Sequence, residues 1–245
     1  MRNDGPAEDV LGEVLTEWRQ GPLGELERLV AEVWRTNVDR RYEPELLGDD
    51  LMSLGVQSAR NIMNRAVREL AGCPGVDARG GQTLEVRYAG RVLHVGKATS
   101  SSASDWDVWS VDWASSEIRD DAAWANSAAY QPDSGTLFEG RSDLLPLPGQ
   151  GRDAARLRHL HLAWQGFLDG GHCRAWLGFP AARERPWHAV LPIFDTRADA
   201  PRAGLDGAAP PARRPAPSFD ELEEAAVPIA VRRRRPSAPT GTSRP

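Results

Sequence analysis

The sequence predicts an α+β fold, and three observations carry that prediction. Apolar residues recur at helical spacing through most of the first 70 positions. From Thr83 the spacing switches to strict alternation. Helical and extended patterns then share the chain up to about residue 195, where the composition changes.

Residues 8–19 place Val10, Leu11, Val14, Leu15 and Trp18 on one helical face, and Gly21-Pro22 interrupts the pattern. A second helix is expected over 23–37, with Leu26, Leu29, Val30, Val33 and Trp34 aligned. A third spans 56–71, with an apolar stripe of Ala59, Ile62, Met63, Ala66 and Leu70 and with Gly72 where a C-terminal cap belongs. Its other side carries Arg60, Arg65 and Arg68, a surface suited to phosphate or an acidic partner. Asp49 and Asp50, just upstream, are explained by capping and by the helix dipole.

After a Gly/Pro loop, the stretch 83–113 reads as a three-stranded antiparallel meander. Leu84, Val86 and Tyr88 alternate with Glu85 and Arg87, and Ala89-Gly90 supplies a two-residue turn. That turn pairs Tyr88 with Arg91, Val86 with Leu93 and Glu85 with His94, which leaves Glu85 and His94 on a solvated face. The third run, 105–113, holds three of the nine tryptophans and is apolar on both alternating sets, as in a strand covered on both sides.

A helix over 117–130 aligns Ile118, Ala122, Ala125 and Ala129. A short strand is expected at 136–139, a helix at 153–168 with Leu157, Leu160, Trp164, Phe167 and Leu168 on its face, and a strand pair at 173–179 and 187–194. The expected organisation is one domain over 8–195 followed by a disordered Pro/Ala/Arg-rich tail, 196–245. Nine of the 19 prolines fall in 201–245. The tail carries a capped acidic-apolar island at 218–226, with Phe219 and Leu222, and then Arg232, Arg233, Arg234 and Arg235. This is the form of a docking element that folds on binding or of an anion-binding tract.

Composition narrows the functional classes. A net charge of −5 argues against a surface that tracks nucleic acid throughout, although the last 45 residues are net basic. No apolar run reaches the roughly 18 residues of a membrane span, the first ten residues lack the apolar core of a signal peptide, and two cysteines make no disulfide framework. A cytoplasmic protein is expected. Of the 30 basic residues only Lys97 is a lysine, which points to a GC-rich, bacterium-like coding origin and singles out Lys97 as an amine that burial could deprotonate.

The order helix, strands, helix resembles the restriction-endonuclease-like nuclease core. That resemblance implies a metal-dependent phosphoester hydrolase using Asp77, Glu85 and Lys97. The chain departs from the pattern at residue 95, a valine where the acid-x-Lys spacing needs an acid, while Glu85-Val86-Arg87 has the spacing with Arg in place of Lys. Gly96-Lys97 lacks P-loop spacing. His161, His172, Cys173 and His188 cluster late in the chain without paired-ligand spacing, so no metal or cofactor is expected. Lacking a coherent catalytic constellation, the chain reads as a non-enzymatic interaction or regulatory protein that binds a protein partner through its tail or through helix 56–71. The alternatives are the phosphoester hydrolase and an Arg-mediated nucleic-acid binder.

Overall fold

A computed structural model describes residues 3–98, 106–130, 153–182 and 185–197. All of them belong to one compact unit, Met1–Arg202. The short strand expected at 136–139 and the tail from residue 198 onward, with Phe219, Leu222 and Arg232 to Arg235, lie outside the described residues.

The fold is α+β, as the sequence implies. Five α-helices and a six-stranded mixed sheet are present among the described residues. Helix α1 (Gly5–Arg19) carries Pro6 in its first turn, which its fixed φ suits, and buries Ala7, Leu11, Val14 and Trp18. Helix α2 (Leu23–Arg41) buries Leu26, Leu29, Val30, Val33 and Trp34. The four-residue α3 (Pro44–Leu47) ends at Gly48, whose φ of 70° is the left-handed stop. Helix α4 (Leu51–Glu69) begins five residues before the sequence places it. Asp50 caps it, accepting from the Ser53 amide at 2.6 Å, while the Asp50 amide donates to Ser53 Oγ at 3.0 Å.

Strands β1 (Asp77–Gly80), β2 (Leu84–Tyr88) and β3 (Arg91–Lys97) form the meander. The β2–β3 register is the expected one, Tyr88 to Arg91 and Val86 to Leu93, across a turn in which Ala89 and Gly90 both have positive φ. The meander's third member is β1, from the stretch read as loop, rather than 105–113. Residues 106–116 instead make two 3₁₀ turns, Val108–Ser110 and Trp113–Ser115, each started by an aspartate: Asp107 accepts from the Trp109 amide and Asp112 from the Ala114 amide, both at 3.0 Å. The apolar residues on both sides of this run pack, but as turns laid over the sheet.

The second correction concerns 153–168. His159–Gly166 is strand β4, not a helix, and it pairs parallel with β3. Strands β5 (Cys173–Pro180) and β6 (Trp187–Asp195) follow antiparallel, giving the order β1-β2-β3-β4-β5-β6. A parallel pair needs a crossover. Here the crossover carries α5 (Glu117–Tyr130) to the sheet face opposite α1, α2 and α4. Helix α5 is also rotated from its expected phase: Ala122, Ala123, Asn126, Ser127 and Tyr130 are buried, and Ala125 is exposed.

The core on the first face joins α1, α2 and α4 to Leu93, Leu160, Leu162, Trp164 and Leu177. Trp34 lies against Trp164 with ring centroids 5.7 Å apart, and its Nε1 donates to the Phe167 carbonyl at 3.0 Å. The smaller cluster on the second face holds Val108, Trp113, Ala163 and Trp187. Two buried amides tie the layers together. Asn126 donates to the His159 carbonyl at 2.8 Å and the Pro180 carbonyl at 3.2 Å, and accepts from the His159 amide. Asn37 donates to Ser58 Oγ at 2.9 Å between α2 and α4.

Gly166 tests this packing, because a Cβ there would lie 2.3 Å from the Trp34 ring, which has no free side to move into. Gly166→Ala is expected to lower stability by about 1–3 kcal/mol in urea unfolding, as overpacking of a filled core does.

Candidate functional site

Strand β2 starts at Leu84, opposite Val95, so β3 runs two residues beyond it with Gly96 and Lys97 paired only to Ala163 and Trp164 of β4. A cavity of about 350 Å³ occupies this step in the sheet edge. Helix α4 walls it with Met52, Gly55, Val56, Ala59, Ile62 and Met63. The sheet supplies Leu84, Val95 and Trp164, and Gln82 and Thr83 close the turn side. Among the described residues three cations border it, Arg60, Lys97 and Arg119, and no Asp or Glu does.

Lys97 reaches the cavity from the helix side of the sheet. Its Nζ donates to the Leu51 carbonyl at 3.2 Å and lies 5.6 Å from the centroid of Trp34. Burial lowers its pKa below the ordinary lysine value, with Asp50 partly opposing the shift. Arg119, in the first turn of α5, comes from the other side. Its Nε is buried without a hydrogen-bond partner, and burial disfavours its charged form with no carboxylate offsetting the cost. Each cation is seated on a glycine. A Cβ on Gly55 would lie 2.5 Å from Lys97 Nζ, and one on Gly96 would lie 2.7 Å from Arg119 Nη2.

The residues named for hydrolase chemistry do not converge. Glu85 pairs with Arg87 at 2.7 Å and Asp77 with Arg79 at 2.7 Å, both on an open face. Glu85 is in register with His94 and so projects from the sheet face opposite Lys97. On α4, Arg60 and Arg68 are exposed, whereas Arg65 is held by Glu32 at 3.2 Å and Glu69 at 2.8 Å. Among the described residues no three His, Cys, Asp or Glu are grouped to hold a metal, so His161, His172, Cys173 and His188 form no such site. Burial pushes the Cys173 thiol up to about 12, far from a reactive thiolate.

The histidines correct another reading. His94 is buried, not solvated, and because β4 is a strand His159 and His161 share its face. His94 stacks on His159 at 5.9 Å, and His161 meets Trp113 edge-on at 4.8 Å. Burial, then neighbouring His159, lowers His94 to about 4, and burial pushes His161 well below the usual imidazole value.

Arg119 was missing from the sequence-based set. The one signal that could have found it is that it is the only basic residue of α5 and falls in phase with Ala123, Asn126 and Tyr130. Compared with family models, curated proteins and solved structures, the chain matches none.

The imidazoles make stability depend on pH. An unfolded histidine takes up its proton near pH 6.5, whereas folded His94 stays neutral down to about 4, so the unfolded state binds more protons between those values and acid favours it. Stability is expected to fall from pH 6.5 to 4, by roughly 3 kcal/mol for His94 alone. Urea midpoints across that range should show a shallower slope for His94→Leu, with Glu85, Arg87 and Arg119 left in place around the ring.

Proposed function

We propose that this chain is a non-enzymatic interaction protein that holds an acidic-apolar segment of a partner protein on the surface formed by α3 and α4. The observation that carries the reading is an exposed apolar strip. Leu46, Leu47, Met52 and Val56 are 80%, 68%, 62% and 61% exposed, two on the short α3 and two in the first two turns of α4, which follows it in the chain. Scattered apolar surface residues need no explanation, but four large ones together cost solubility and are typical of a contact site. Down α4, residues 52, 56, 60, 64 and 68 form an i+4 row that passes from Met52 and Val56 to Arg60, Asn64 and Arg68, all exposed. Next to it, a groove between α2 and α4 adds Arg41. An apolar end and a basic end on one helix fit a partner element with the complementary order.

The same reading suits a chain whose described residues have no helix long and apolar enough to cross a membrane and whose cysteines, Cys73 and Cys173, are both free thiols. An intracellular setting is part of the proposal.

A photo-crosslinking residue placed at Leu47 or Val56 in the producing cell tests it. A discrete adduct is expected from both positions and not from exposed Thr16 on α1, and Arg60→Glu with Arg68→Glu should reduce it about tenfold. If the purified chain is a dimer that Val56→Asp dissociates, a second copy covers the strip and the partner reading is wrong. An adduct indifferent to the Arg→Glu changes would remove the acidic partner from the proposal.

A further inference from the structure

The cavity at the start of β2 has chemistry that the strip outside it does not need. Two cations, Lys97 and Arg119, are partly withdrawn from water at its wall, no acid lines it among the described residues, and the remaining surface is mostly apolar, with Met63, Leu84, Val95 and Trp164 at its base. Lys97 keeps one hydrogen bond, to the Leu51 carbonyl, with Asp50 partly opposing the cost of its burial, and Arg119 has no carboxylate partner among the described residues, so each gives up hydration that little repays. Glycines at 55 and 96 keep open the space those two cations occupy, where any Cβ would meet the charged atoms.

We propose that this cavity is a binding site for a small monocarboxylate with an apolar body, its carboxylate lying between Lys97 and Arg119 and its hydrocarbon lying against α4 and Trp164. The assignment does not depend on the partner-docking reading. A carboxylate has two oxygens, and an ammonium and a guanidinium approaching from opposite sides of the sheet can each take one in a charge-assisted hydrogen bond. The volume, about 350 Å³, equals roughly ten waters and matches a ligand of about ten non-hydrogen atoms in a site of ordinary pocket size. The apolar wall discriminates against a bare anion, and the two cations discriminate against a neutral amphiphile.

Octanoate, octan-1-ol and inorganic phosphate are the probes, measured with the full chain by calorimetry and by quenching of tryptophan fluorescence. Octanoate should bind at least tenfold more tightly than octan-1-ol, and phosphate should not bind. Lys97 is the only lysine in the chain, so acylation by an amine reagent followed by peptide mapping reads its exposure directly, and octanoate should protect it. Lys97→Met and Arg119→Met should each weaken octanoate at least tenfold. Because either change could alter folding, Gly55→Ala serves as the second variant. Its methyl group meets only the Lys97 side chain, Nζ at 2.5 Å and Cδ at 3.0 Å, so it should keep the wild-type melting curve and still lose octanoate binding at least tenfold. Equal affinity for octan-1-ol would leave an apolar hole with no carboxylate recognition. Phosphate competing as well as octanoate would make this a general anion site. No binding of octanoate, or binding unchanged in Gly55→Ala and Arg119→Met, would also overturn the assignment.

Discussion

The rest of the structure depends on the parallel pairing of β3 with β4. Every other strand pair is antiparallel and can be joined by a short turn, but this one requires the chain to leave the sheet and return from the same end. The register sets Leu93 beside Leu160, Val95 beside Leu162 and Lys97 beside Trp164 on the face that α1, α2 and α4 cover. It sets His94 beside His161 and Gly96 beside Ala163 on the face that α5 covers. The crossover thus brings Arg119 over Gly96 from one side while Lys97 lies under α4 on the other. Had β4 joined antiparallel, no helix would be required on the second face and only one cation would reach the step in the sheet edge.

Polar groups placed in this interior are handled in two ways. Asn126 and Asn37 are buried and hydrogen-bonded, each tying one element to another. Buried amides that are satisfied in this way specify geometry at small net cost. The histidines and cations are different. Nδ1 of His94 and Nε of Arg119 are buried without a partner, and burial shifts each toward its neutral form. For His94 the cost is avoided by staying unprotonated. Arg119 has no such route, because a guanidinium keeps its charge at any ordinary pH. Arg119 therefore retains an electrostatic demand that no carboxylate among the described residues meets.

The sequence made the hairpin and the N-terminal helices legible because one pattern dominated each. Leu84, Val86 and Tyr88 alternate up to a two-residue turn, so the register had one solution. The run 105–113 failed for a definite reason: apolar residues on both alternating sets fit a central strand, but Asp107 and Asp112 each bond an amide two residues on and wind the chain into turns. Residues 159–166 satisfied two periods at once. Leu157, Leu160, Trp164 and Phe167 recur at helical spacing, while His159, Leu160, His161 and Leu162 alternate, and only the parallel pairing to β3 decided between them. Lys97 stood out because composition isolated it. Arg119 did not, because a one-residue error in the phase of α5 turned it outward, and no local pattern reveals that β2, distant in the chain, starts two residues short of the end of β3.

The two glycine seats separate a site from a packing fault. A void left by imperfect packing is bounded by whatever side chains fail to meet, and adding a methyl group to its wall improves it. Here glycines stand where the two cations lie, and the atoms a methyl would strike are Lys97 Nζ and Arg119 Nη2 themselves, at 2.5 and 2.7 Å. Filling either position would push a charged group out of place, and at helical position 55 the loss of the Lys97 hydrogen bond to Leu51 would offset the roughly 1 kcal/mol that alanine gains in helix propensity. Retaining glycine there keeps the ammonium at the cavity wall, on the Leu51 carbonyl and against Trp34, which is the position that the proposed carboxylate site requires.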